Sequence, residues 1–124
     1  MRLVSVVGFS VMLGVLLSAQ TKQATPPVGL PAKGSRTFTG RVTDSMCSNA
    51  DHKGMRMGDT DAECTKACVL SHGAEYVLFD GTNVYTFGDQ RVPEKFAGMK
   101  VSVVGVLDAK TSKIEKMSSI KAVK

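Results

Sequence analysis

Cys47, His52, Cys64 and Cys68 place all three cysteines of the chain and one of its two histidines within a single short stretch. Thiolate and imidazole are the donor types of zinc sites, and three Cys with one His is a recognised tetrahedral set. Cys64 and Cys68 are four residues apart. On a helix that spacing puts both side chains on one face, with Cβ atoms about 5–6 Å apart. A disulfide needs Cβ atoms about 3.8 Å apart, so bridging the pair would distort the helix. A metal ion suits the gap better, because each zinc–sulfur bond is about 2.3 Å long. Cys47 and His52 precede the helix, and a loop folded over it would complete the set. Three sulfurs sharing one ion should then lie roughly 3.5–4 Å apart, as tetrahedral bonds of that length require. His72, one further helical turn beyond Cys68, is a substitute ligand. Equally, it is a cation favourably placed near a helix C-terminus.

Met55 and Met57, with Met46, flank His52 and widen the choice of metal. Thioether and thiolate donors favour Cu(I), whereas imidazole and thiolate together suit zinc. The candidate metal ligands are therefore Cys47, His52, Cys64, Cys68, Met55 and Met57, and the candidate ions are zinc and copper. Two other readings stay open. An odd cysteine count allows one staple, Cys47 to Cys64 or Cys68, with the third thiol a small buried hydrophobe. The domain would then be a non-enzymatic binding or interaction module. A thiol redox protein is the other reading, although no Cys-x-x-Cys motif is present.

No catalytic set emerges. Haem attachment needs Cys-x-x-Cys-His, which is lacking. Cys68 and His72 share a helix face, but nothing in the sequence orients the imidazole or stabilises an oxyanion. Asp44, Asp51, Asp59 and Asp61 do not follow the calcium-loop pattern. The chain is read as a non-enzyme with no catalytic residues and no organic cofactor.

The elements that must position these groups are short. Phe38 to Val42 predicts a first strand. A polar loop follows from Asp44 to Gly58. Thr60 is placed to cap a helix, with Asp61 and Glu63 at its positive end, and Gly73 is placed to stop it. Glu75 to Asp80 predicts a second strand, Asp80-Gly81 a turn, and Asn83 to Phe87 the returning strand. Pro93 opens a short helical segment. Lys100 to Leu107 is a fourth strand with a bend or bulge at Gly105, and Lys113 to Val123 a fifth, irregular near Ser118-Ser119. The fold class expected is mainly β, a small α+β domain: a five-stranded OB-like barrel with one helix after the first strand. Val42, Val77 or Leu78, and Val101 or Val103 should fill its interior.

Upstream, Met1-Arg2 and the apolar run Leu3 to Leu17 lead to Ser18-Ala19-Gln20, the layout of a secretory signal. Residues 1–19 are read as the signal peptide, 20–37 as a flexible linker rich in Pro and Gly, and 38–124 as the barrel domain. The expected location is extracytoplasmic, periplasmic or secreted, with no stable membrane insertion after cleavage. The formal charge is +5 for the full chain. Losing Arg2 leaves 15 basic residues against 11 acidic ones, hence +4. These charges are scattered and aromatic residues are few, which argues against a nucleic-acid partner. The expected partner is a metal ion or an unidentified small ligand. No protein partner is legible.

Asp44-Ser45-Met46-Cys47, His52, Cys64-Thr65-Lys66-Ala67-Cys68-Val69 and Gly73-Ala74-Glu75-Tyr76-Val77-Leu78 together resemble an uncharacterised family of small exported bacterial OB-like domains. Phe96-Ala97-Gly98-Met99-Lys100-Val101 and Val103-Val104-Gly105 fit the same family, and the resemblance covers residues 38–123. It implies an extracytoplasmic OB-like domain and supplies no activity. Met55-Arg56-Met57 also looks like the Met-x-Met element of small exported copper chaperones of OB type, although this chain has no Trp.

Overall fold

Residues 32–124 are described by the computed structural model. The expected signal peptide and residues 20–31 of the expected linker lie outside the described residues. A turn closed by Ser35 N–H donating to Ala32 C=O at 2.9 Å leads into the first strand. That strand, β1, runs Arg36–Asp44 and so starts two residues before the expected Phe38. There follow α1 at Asp61–His72, β2 at Tyr76–Phe79, β3 at Val84–Phe87, a 3-10 turn at Pro93–Phe96, β4 at Lys100–Asp108 and β5 at Lys113–Ala122.

The five strands form one sheet that closes on itself in the order β1-β2-β3-β5-β4. Closure depends on β1, which serves two neighbours. Its first part pairs antiparallel with β4, Phe38 opposite Val103, and its last part pairs antiparallel with β2, Val42 opposite Leu78. The seam between β3 and β5 is parallel and short, Thr86 opposite Lys113 and Phe87 opposite Ile114. Closing a sheet removes exposed edges that would otherwise pair with other chains.

Period-2 alternation sends Phe38, Val42, Leu78, Phe87, Val101, Val103 and Ile114 into the interior. Of the expected pair Val77 or Leu78, Leu78 belongs to the barrel core, while Val77 is equally buried on the opposite face. Gly105 sits at the break in the β4–β5 register between Val104 and Val106. A Cβ there would lie 2.7 Å from Ile114 Cγ2 and 3.0 Å from the Glu115 carbonyl oxygen. Only glycine permits that approach, which is the bulge expected from the sequence. The matching irregularity in β5 falls at Lys116, whose φ is 47°.

Helix α1 is held at both ends. Thr60 Oγ1 accepts from Glu63 N–H while the Glu63 carboxylate accepts from Thr60 N–H, a reciprocal capping box. Gly73 ends the helix with φ 68°, donating its N–H to Cys68 C=O. No apolar stripe runs along α1. Its buried positions are Cys64, Thr65 and Cys68, and Leu70 is 82% exposed. Ala62 and Val69 pack against the barrel core, and the Thr65–His52 contact adds a polar tie to the preceding loop. Among the described residues, no helix is long and apolar enough to cross a membrane.

Candidate metal centre

The inside–outside alternation of β1 fails at its last three residues. Val42, Thr43 and Asp44 are all fully buried. Thr43 and Asp44 are covered by the loop at residues 45–60 and by α1, and the chemistry lies in that covered corner.

Asp44 builds the corner. Its Oδ1 accepts from Met46 N–H at 3.1 Å and Cys47 N–H at 2.9 Å, an Asx turn that bends the chain off the strand. Thr43 Oγ1 donates to Cys47 C=O at 2.9 Å and fixes the same turn from the other side. Ala50 N–H also donates to that carbonyl at 2.9 Å. His52 then folds inward and is 4% exposed. Its Nε2 lies 3.3 Å from Asp44 Oδ2, 3.3 Å from Thr65 Oγ1 and 3.4 Å from Thr43 Oγ1. Its Nδ1 lies 3.2 Å from Asp61 Oδ1. Asp61 is the first residue of α1, and Thr65 follows it by one turn on the same face.

Asp44, Cys47 and His52 each offer one donor atom, and these atoms all lie within 4.8 Å of one another. Among the described residues this is the one such group of three. It is fully buried and combines carboxylate oxygen, thiol sulfur and imidazole nitrogen, a donor set accepted by zinc. The ring orientation suits ligation. A metal-bound histidine usually gives its other ring N–H to a carboxylate, which fixes the tautomer. Asp61 stands where that carboxylate is needed and leaves Nε2 facing Asp44.

The Cys47 and Cys68 thiols are held in their protonated form. Burial raises Cys47 above its ordinary 9.0, helped by the charge of Asp44 and then by Cys64 and Asp51. Burial pushes Cys68 from 9.0 to about 11, with the charges of Asp44, Cys64 and Cys47 and the neighbouring Cys64 side chain adding to the effect. A divalent ion reverses this preference, because its charge replaces the proton on sulfur.

The structure brings together Cys47 and His52 of the expected ligands and adds Asp44. Cys64 and Cys68 lie beside the group, on the buried face of α1. Cys64 Sγ donates to Met55 C=O at 3.2 Å and accepts from Met57 N–H at 3.3 Å. The Met55 and Met57 side chains are 42% and 41% exposed. His72 is exposed at the helix end. The staple left open by the sequence, Cys47 to Cys64 or Cys68, is not formed: all three cysteines are free. Cys47 is held in the turn after β1 by its N–H bond to Asp44, and Cys64 Sγ by Met55 and Met57.

Asp44, Thr43, Asp61 and Thr65 were not legible as site residues from ligand types alone. One signal was present. Asp61, Cys64, Thr65 and Cys68 follow the i, i+3, i+4, i+7 spacing of one helix face, and all four are polar or thiol-bearing; the last three are buried, and Asp61 stands about half exposed at the helix start. A helix face of that kind marks a polar site. Comparison with protein-family models, curated proteins and solved structures found no match to the chain.

Proposed function

We propose that this is an exported, non-enzymatic domain that binds a divalent metal ion of the zinc type through Asp44, Cys47 and His52. The observation that carries the proposal is the convergence of three buried donors of three chemical types within 4.8 Å. The Asp61–His52 contact at 3.2 Å supports it, because it engages Nδ1 and leaves Nε2 as the ring nitrogen turned toward Asp44. Three protein ligands leave one tetrahedral position for water or a small ligand. A mixed oxygen, nitrogen and sulfur set favours zinc over Cu(I), which prefers sulfur.

Export rests on the charged, apolar and small-residue segments at residues 1–19. The closed order β1-β2-β3-β5-β4 supports reading the barrel as OB-like, with its helix after β1 rather than between the third and fourth strands. The spacing of Cys47, His52, Cys64 and Cys68 supports membership of the family of small exported bacterial domains that the sequence resembles.

One observation favours a second reading. His52 already meets two carboxylates and two threonine hydroxyls, so it could serve as a polar pin joining loop to helix. Zinc titration of the reduced full-length chain separates the two. One equivalent bound by the wild type, and lost in Cys47→Ser and His52→Ala, supports the metal site. No binding by the wild type, together with a lower unfolding midpoint for His52→Ala, supports the pin.

A further inference from the structure

We propose that Cys64 and Cys68, with Met55 and Met57 at their mouth, form a second, all-sulfur site that takes a soft monovalent cation of the Cu(I) type. It stands beside the Asp44, Cys47 and His52 group and shares no ligand with it.

The two thiols occupy one face of α1 a turn apart, 1% and 0% exposed, and pack together with Ala74 and Val69. Their shared burial and the helical spacing define what the pair can hold. A disulfide would need Cβ atoms about 3.8 Å apart, against about 5–6 Å for residues four apart on a helix. An ion bridging two sulfurs needs no such closure, since each metal–sulfur bond adds about 2.3 Å.

The surroundings select the ion. Ala74 and Val69 offer no oxygen or nitrogen ligand, and the polar partners of Cys64 Sγ are backbone groups of Met55 and Met57. Those two backbone contacts hold the loop over the thiol pair and bring two thioether-bearing residues to its edge. Both side chains face water at 42% and 41% exposure. Methionine is flexible and polarizable, so such side chains can turn inward onto an ion. Two thiolates with thioether reserves make a soft donor set, which selects Cu(I). Zinc would want four firm ligands. On binding, two S–H bonds are replaced by two sulfur–metal bonds and two protons leave to solvent.

The test is anaerobic titration of the reduced full-length chain with Cu(I) against bicinchoninate, with zinc titrated separately. The wild type should withdraw Cu(I) from the chelator. C64S/C68S should lose that ability and keep zinc, while Cys47→Ser should lose zinc and keep Cu(I). M55L/M57L changes only exposed side chains and should bind Cu(I) more weakly. X-ray absorption at the copper edge of the wild type should show a sulfur-only shell, a readout that does not require any variant to fold. A nitrogen or oxygen shell, full Cu(I) binding by C64S/C68S, or a wild type that takes no Cu(I) overturns the proposal. Loss of zinc binding by the wild type alone would overturn the first site and leave the second standing.

Discussion

Replacing Asp61 by Asn tests how His52 is held. Asp61 Oδ1 lies 3.2 Å from His52 Nδ1, and the Asp61 side chain is 48% exposed. Its other neighbour, Arg41, approaches only to 4.0 Å and is also about half exposed, so that pair contributes little. As an acid in the first turn of α1, Asp61 adds about 0.3–1 kcal/mol through the helix dipole. The fold should therefore survive the substitution. Metal affinity should suffer more. Loss of the carboxylate behind a ligating histidine typically costs about 10–100-fold in affinity, or about 1.4–2.8 kcal/mol at 1.4 kcal/mol per tenfold. Asn keeps the size and an acceptor oxygen but removes the charge that makes the imidazole a better donor. The assay is zinc competition against a chromophoric chelator, paired with urea unfolding of the metal-free protein. A tenfold or greater loss of affinity with a stability change below about 1 kcal/mol is expected. Unchanged affinity in D61N, with binding abolished in Cys47→Ser, would refute the idea that Asp61 positions His52 as a ligand.

Leu78→Ala empties a fully buried position of the barrel and should cost about 2–5 kcal/mol in urea unfolding. Leu70→Ala on the exposed side of α1 should change stability by less than about 0.5 kcal/mol. Cys68, raised by burial from 9.0 to about 11, links stability to alkaline pH. Its folded value exceeds its unfolded one, so the contribution is intact below pH 9 and is lost as pH rises through 11, a change of about 3 kcal/mol. Denaturant titrations of the reduced, metal-free protein across that window should show the decline, and Cys68→Ala should flatten it. Asp80 is lowered to about 2 by the backbone N–H groups of Asn83 and Thr82, with the Asn83 side chain and Tyr85 hydroxyl adding to it. Its contribution should persist above pH 4 and disappear as pH falls through 2, and carboxyl NMR titration should place its midpoint there.

Local rules made most of the fold legible. Thr60 and Glu63 mark the start of α1 and Gly73 its end, because capping depends on neighbours in sequence. Gly105 announces the bulge for the same reason. The interior positions Val42, Leu78, Val101 and Val103 follow from alternation. Alternation alone did not separate Val77 from Leu78, since β2 is buried on both faces. The site was legible only in part, for the same physical reason. Cys47 and His52 stand out by residue type, whereas Asp44 becomes a candidate only when the end of β1 is seen to be covered by residues distant in the chain. Asp61 and Thr65 look like ordinary helix residues until His52 is found between them and the strand. Residue type suggested one shared cluster of sulfurs. Cys47 stands in the turn after β1, and Cys64 and Cys68 stand on the buried face of the helix.

The most direct measurement is the cobalt(II) absorption spectrum of the reduced full-length chain, with cobalt standing in for zinc. One equivalent of cobalt should give tetrahedral d–d bands and a sulfur-to-metal charge-transfer band sized for a single thiolate. Zinc should displace it, and Asp44→Asn, Cys47→Ser and His52→Ala should each remove it, while C64S/C68S retains it. A wild-type spectrum indistinguishable from free cobalt, or a full spectrum in Cys47→Ser, would contradict a metal centre at Asp44, Cys47 and His52.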